Sequence, residues 1–183
     1  MPTPTFSLPV YPNIPLPTIT WMNENAVGGA PLLSSSAPTS SVYTTANRAM
    51  LFPFLIYSPV TIYKFFTVNG TVINGSFDMC IYSRDYKKLI GTGPVVQSGT
   101  SVIQNFPLAA AKSLYPDQYY MGISYNNTSG TFFSHAPSSG NLALLKCGQM
   151  ANAFPLPDTF VPVALSAITG MNMPIFGAKL VNV

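Results

Sequence analysis

Charge is what this sequence has least of. Its 8 lysines and arginines and 5 acids make up 7% of 183 residues, against about 25% in an average soluble domain. A nucleic-acid binder advertises a basic stripe, and a net charge of +3 with one Lys87-Lys88 pair is not one, so no nucleic-acid partner is expected. Soft metal ligands are nearly missing too. Cys80, Cys147 and His135 are all there are, and no close pair among them can nucleate a zinc site, so neither metal nor cofactor is expected. Long apolar runs are also lacking. A spanning helix needs about 20 such residues, and the best candidate, residues 49–60, is interrupted by Pro53, Ser58 and Pro59. The first residues have prolines and no basic start, so no signal peptide and no membrane partner are expected. Alanine, glutamate, lysine, leucine and arginine are too few for a coiled coil. Disorder requires low hydrophobicity with high charge, and 48% hydrophobic residues with 13% aromatics is the reverse.

What is present is proline, aromatics and β-branched residues, in three zones along a chain of one domain's length. Residues 1–22 hold six of the 18 prolines, no charged side chain, and the apolar Phe6, Leu8, Val10, Tyr11, Ile14, Leu16 and Trp21. Proline forbids helix, so this is an extended arm. An extended apolar arm gains little by packing on itself, so these seven residues are the candidate assembly interface. A connector rich in serine, threonine, glycine and alanine follows over 23–46 and is expected to lie along the fold.

Residues 47–148 read as strands. Arg48–Tyr57 is one, with Pro53 confining it to an edge or a bulge. Val60–Val68 is dense in β-branched and aromatic residues, and Asn69-Gly70 and Asn74-Gly75 supply pairs that tolerate positive φ. Phe77, Met79 and Ile81 alternate with Asp78, Cys80 and Tyr82, the period-two mark of a half-buried strand. Leu89-Ile90, Thr100–Phe106 and Gln118–Tyr125 continue the sheet, while Ala109–Lys112 suits a single helical turn. Residues 149–183 form a C-terminal extension spaced by Pro155, Pro157, Pro162 and Pro174, ending in a strand at Ile175–Val181. Short strands between turn signals predict a sandwich or barrel, and the lack of helical crossovers excludes a parallel sheet.

Asn47-Arg-Ala-Met-Leu-Phe-Pro-Phe54, Val68-Asn-Gly70 and Gly75-Ser-Phe-Asp-Met-Cys-Ile-Tyr82 form a pattern that resembles small jelly-roll β-sandwich structural proteins of tailed bacteriophages. Leu114-Tyr-Pro-Asp-Gln-Tyr-Tyr-Met-Gly-Ile123 is similar to the Leu-x-Pro-Gly-x-Tyr-Tyr-Leu strand start of such sandwiches, with Asp117 where glycine is usual. The likeness covers roughly residues 47–177. It implies an all-β, jelly-roll-like antiparallel sandwich with an N-terminal arm and a C-terminal extension. It also implies a virion location and a capsid decoration or cement role, with the major capsid protein or tail proteins as partners. A homotrimer is expected, with a dimer second. The alternative is a host-surface or carbohydrate-binding module on the same fold, since one fold hosts many functions. Decoration expects a buried arm and no exposed aromatic groove; receptor binding expects tyrosines clustered at loop tips.

The residues themselves argue against an enzyme. His135 reads as a loop histidine without a catalytic partner. Glu24, Asp78, Asp85, Asp117 and Asp158 are scattered, whereas glycoside hydrolysis needs two carboxylates across a cleft. Gly91-Thr-Gly93-Pro94 lacks the third glycine and the helix of a dinucleotide loop. Cys80 and Cys147 suit one disulfide, two core thiols or half a metal site, with reduced, buried thiols expected. Tyr119, Tyr120 and Tyr125 are candidate ligand-stacking platforms, because tyrosine offers a flat apolar face with a polar handle; the alternative is core and inter-subunit packing, since Tyr119 and Tyr120 must point to opposite faces of a strand.

Overall fold

The computed structural model describes residues 26–28, 38–135, 147–162, 165–168 and 172–182. Among them every regular element of more than one turn is a strand. In chain order these are β1 (Ala26–Gly28), β2 (Thr39–Val42), β3 (Arg48–Ile56), β4 (Val60–Val68), β5 (Ser76–Ser83), β6 (Lys88–Gly91) and β7 (Val95–Val96). They continue with β8 (Ile103–Leu114), β9 (Asp117–Tyr125), β10 (Thr131–His135), β11 (Gly148–Met150), β12 (Ser166–Ala167), β13 (Met173–Pro174) and β14 (Phe176–Asn182). No helix among the described residues is long and apolar enough to cross a membrane.

The strands make an all-β sandwich of antiparallel sheets. The large sheet runs β12-β11-β3-β9-β5-β6, with β7 also on β5; the second runs β1-β14-β4-β8. A small sheet, β13-β10-β2, meets the second through a bridge between Asn69 and Phe132. Because β3, β5, β7 and β9 belong to one layer and β4 and β8 to the other, the chain crosses between layers at β3–β4, β4–β5, β7–β8 and β8–β9. Pro53 falls where its missing N–H is tolerated. β11 pairs only with Ala49–Leu51, so Pro53 lies on the stretch of β3 with a single partner, β9, among the described residues.

Strand alternation fills the space between the layers. Met50, Phe52, Phe54 and Ile56 of β3 point inward with Phe77, Met79 and Ile81 of β5. They meet Ile62, Phe65, Phe176 and Ala178 of the second sheet. Phe52 and Phe176 pack edge to face at 5.5 Å, and Phe77 and Phe106 at 5.0 Å, both favourable for ring quadrupoles.

The opposite faces of β3 and β5 are also buried, which corrects the half-buried reading of β5. Ala49, Leu51, Cys80 and Tyr82 form a second cluster with Ala153, Leu156 and Phe160. The proline-spaced segment around 153–160 lies over the large sheet and seals it. Its backbone is held by polar groups of the sheet. Asp78 Oδ2 accepts from Leu156 N at 3.0 Å, Tyr82 OH donates to the Pro157 carbonyl at 2.8 Å, and Ala153 N donates to Asn47 O at 2.7 Å. Lys88 donates through Nζ to Leu156 O and pairs with Asp158 at 3.3 Å.

Where it is described, the C-terminal extension packs on the sandwich: β14 lies between β1 and β4, inside the second sheet. Two other expectations change. Ala109–Lys112 belongs to β8 and not to a helical turn, because pairing with β4 on both sides overrides alanine's helix propensity. The register jumps there from Lys64–Pro107 to Ile62–Lys112, and the extra residues bulge. Of the two Asn-Gly pairs, only Gly75 has positive φ, at 77°. Gly70 is needed for closeness: a Cβ there would run into the hydroxyls of Thr131 and Ser40.

The connector does lie along the fold where it is described, as β1 on β14 and β2 on β10. The arm residues Phe6, Leu8, Val10, Tyr11, Ile14, Leu16 and Trp21 lie outside the described residues.

Candidate functional site

Antiparallel register gathers three distant pieces of chain at one end of the large sheet. Ile56 pairs with Asp117 and Ser83 with Tyr119, so the end of β3, the end of β5 and the start of β9 converge. Their edges and the adjoining loops enclose an open cleft of about 580 Å³. It is lined by Leu55, Ile56, Tyr57, Arg84, Pro116, Asp117, Gln118 and Tyr120. Such a volume lies within the roughly 300–1,000 Å³ range of small-molecule sites.

The lining combines exposed aromatic surface with fixed polar groups. Tyr57 is 54% exposed, and Tyr115, on the neighbouring turn, is 66% exposed. Tyr120 is held in place. Tyr86 stacks on it with centroids 4.8 Å apart and planes 23° off parallel, and the two hydroxyls lie 3.3 Å apart. Gln118 donates through Nε2 to the Tyr120 hydroxyl at 3.1 Å. Burial, aided by the Tyr86 hydroxyl, raises the Tyr120 phenol above the ordinary tyrosine range, so it stays protonated as a hydrogen-bonding group. Asp117 uses Oδ1 to accept from Gln118 N at 2.7 Å, which leaves Oδ2 for another donor. Arg84 meets Asp85 through Nε at 4.0 Å, and both side chains are mostly exposed. A pair that long and wet contributes little.

Of the three expected stacking tyrosines, only Tyr120 lies at the cleft. Tyr119 points into the core against Phe54 at 5.8 Å and donates its hydroxyl to Tyr115 O. Tyr125 is fully buried between Tyr43 and Phe132 and donates to Gln97 Oε1 at 2.8 Å; burial pushes its phenol up to about 12. Both are core residues, because alternation on β9 turns Tyr119 and Tyr125 inward and Tyr120 outward. Tyr57, Arg84 and Gln118 had no signal in the linear sequence. Only the pairing of β3, β9 and β5 shows that they are neighbours.

His135 is likewise not in a loop. It closes β10, 3% exposed, with neither ring nitrogen hydrogen-bonded among the described residues. Among the described residues no three His, Cys, Asp or Glu side chains come together as metal ligands. Cys80 and Cys147 are separate, buried free thiols. The cleft lining includes one carboxylate, Asp117, so the arrangement offers recognition by stacking and hydrogen bonding. Compared with family models, with curated proteins and with solved structures, the chain gives no match.

Proposed function

We propose that this chain is a non-enzymatic structural protein of a phage virion, a capsid decoration or cement protein that straps neighbouring subunits through its N-terminal arm. One observation carries the reading. Residues 1–22 carry six prolines, no charged side chain and the apolar Phe6, Leu8, Val10, Tyr11, Ile14, Leu16 and Trp21. An uncharged, proline-locked arm loses little entropy on docking and suits a neighbouring surface. Its partners on this reading are the major capsid protein or tail proteins, and the chain assembles in the host cytoplasm as a homotrimer, with a dimer second. Exposed Val72, Val96, Val102 and Ile103 supply apolar surface for self-association. Co-sedimentation of the chain lacking residues 1–22 with undecorated particles tests the tether. Binding should fall at least tenfold, and undiminished binding would sink the idea.

A second reading, a host-surface or carbohydrate-binding module on the same fold, is favoured by a specific observation. Tyr57 and Tyr115 stand exposed on turns around the end cleft, where a receptor binder needs them.

A further inference from the structure

We infer that the end cleft binds the terminal one or two residues of a neutral, hexose-containing glycan; this rests on the second reading and names its site and ligand class. The argument begins with ligand chemistry. A hexopyranose has a flat C–H face, a rim of hydroxyls that both donate and accept, and no charge. Its recognition needs an aromatic surface beside mixed hydrogen-bonding groups whose charges balance.

The cleft supplies each part. Tyr57 and Tyr120 give the aromatic surface, and Tyr120 is preorganised by the Tyr86 stack behind it, so little freedom is lost when a ring docks. Asp117 Oδ2 accepts from a hydroxyl, and the Arg84 Nη groups, which make no ion pair among the described residues, donate to hydroxyl or ring oxygens. The Gln118 amide fixes the Tyr120 hydroxyl in position.

Charge balance decides among ligand classes. Arg84 is offset by Asp117 in the lining and by Asp85 beside it. A phosphate or sialic acid would therefore face carboxylates as well as the guanidinium. A purely apolar ligand would strip water from Arg84, Asp117 and Gln118 without replacing their hydrogen bonds. Shape agrees with the end of a chain. The cleft is open and lies at the strand ends of the large sheet, so a glycan can enter by its terminus while the rest stays in solvent.

Two measurements on the full-length chain test this. The first is saturation-transfer NMR with methyl glycosides of glucose, galactose, mannose and N-acetylglucosamine, with N-acetylneuraminic acid as the anionic probe. At least one neutral glycoside should bind with millimolar Kd, and Tyr57→Ala and Arg84→Ala should each weaken it at least fivefold. Both side chains are largely exposed, so each variant should melt like the parent, which separates lost binding from lost folding. The second is binding of the same proteins to an immobilised glycan array. Array binding that survives both substitutions would leave a carbohydrate-binding module standing and overturn the cleft as its site. Binding of the anionic probe alone would overturn the ligand class. No binding to any glycan would overturn both the inference and the reading beneath it.

Discussion

Asp78 is 1% exposed beneath the C-terminal segment, where its carboxylate accepts from Leu156 N and, at 3.4 Å, from the Thr92 hydroxyl. Burial raises its pKa above the ordinary aspartate value, and the Leu156 N–H, Lys88 and Thr92 oppose that rise only in part. A raised acid pKa means that the folded state binds the proton more tightly than the unfolded chain. Asp78 therefore subtracts stability at neutral pH, and that cost is relieved as pH falls through the folded pKa towards the unfolded one near 3.8. Asp78→Asn keeps an oxygen for Leu156 N and removes the charge. In urea titrations at pH 7 it should stay within about 1 kcal/mol of the parent or exceed it, and the parent should gain on the variant on acidification. A loss above about 2 kcal/mol at pH 7 would show that the charge is needed. The cysteines give a second test at this scale. Burial pushes the Cys147 thiol up to about 12 and raises Cys80 as well, so the reactive thiolate is nearly absent at pH 8. Neither should react with Ellman's reagent in the native protein, and both should react in denaturant. A fast native titration, or a Cys80–Cys147 linked peptide by mass spectrometry, would contradict this.

At the scale of elements, the segment around 153–160 is the least expected part of the fold. It forms no strand of its own beyond the bridge between Lys87 and Thr159, yet it seals the outer face of the large sheet. Phe160 is fully buried and meets Tyr82 edge to face at 4.7 Å. Phe160→Ala should cost about 3 kcal/mol by urea unfolding, as expected for a large-to-small change in a packed layer. A cost below about 1 kcal/mol would mean that the layer is loosely applied. The strands were legible because inward positions such as Phe77, Met79 and Ile81 recur at period two, and because Gly75 marks the start of β5. The second layer was not. Asp78, Cys80 and Tyr82 alternate in the same way whether their face meets water or Phe160, and only the covering segment decides. The cleft was illegible for a related reason. Tyr57, Arg84 and Gln118 are separated by tens of residues, and register alone unites them. Alternation shows that Tyr119 and Tyr120 face opposite ways, but which of the two faces the cleft is decided only by the packing of β9.

At the scale of the whole molecule, exposed aliphatic side chains remain at the end opposite the cleft. Gln104 Nε2 bonds Val96 O and Asn69 N bonds Val102 O, which holds Val96, Val102 and Ile103 close together around the buried Asn69. Closed symmetry hides such surface. Light scattering at micromolar concentration should report a trimer or, second, a dimer, and a monomer alone would count against self-association. The more basic claim is that the sandwich is complete in itself. It is tested most directly by thermal unfolding of residues 23–183 beside the full chain, a cut that keeps β1 on β14. The account predicts a Tm within about 3 °C of the parent, since 1 kcal/mol corresponds to roughly 2–4 °C at this size. A fall of 10 °C or more would show that Phe6, Leu8, Val10 and their neighbours belong to the chain's own core, and the account would be wrong.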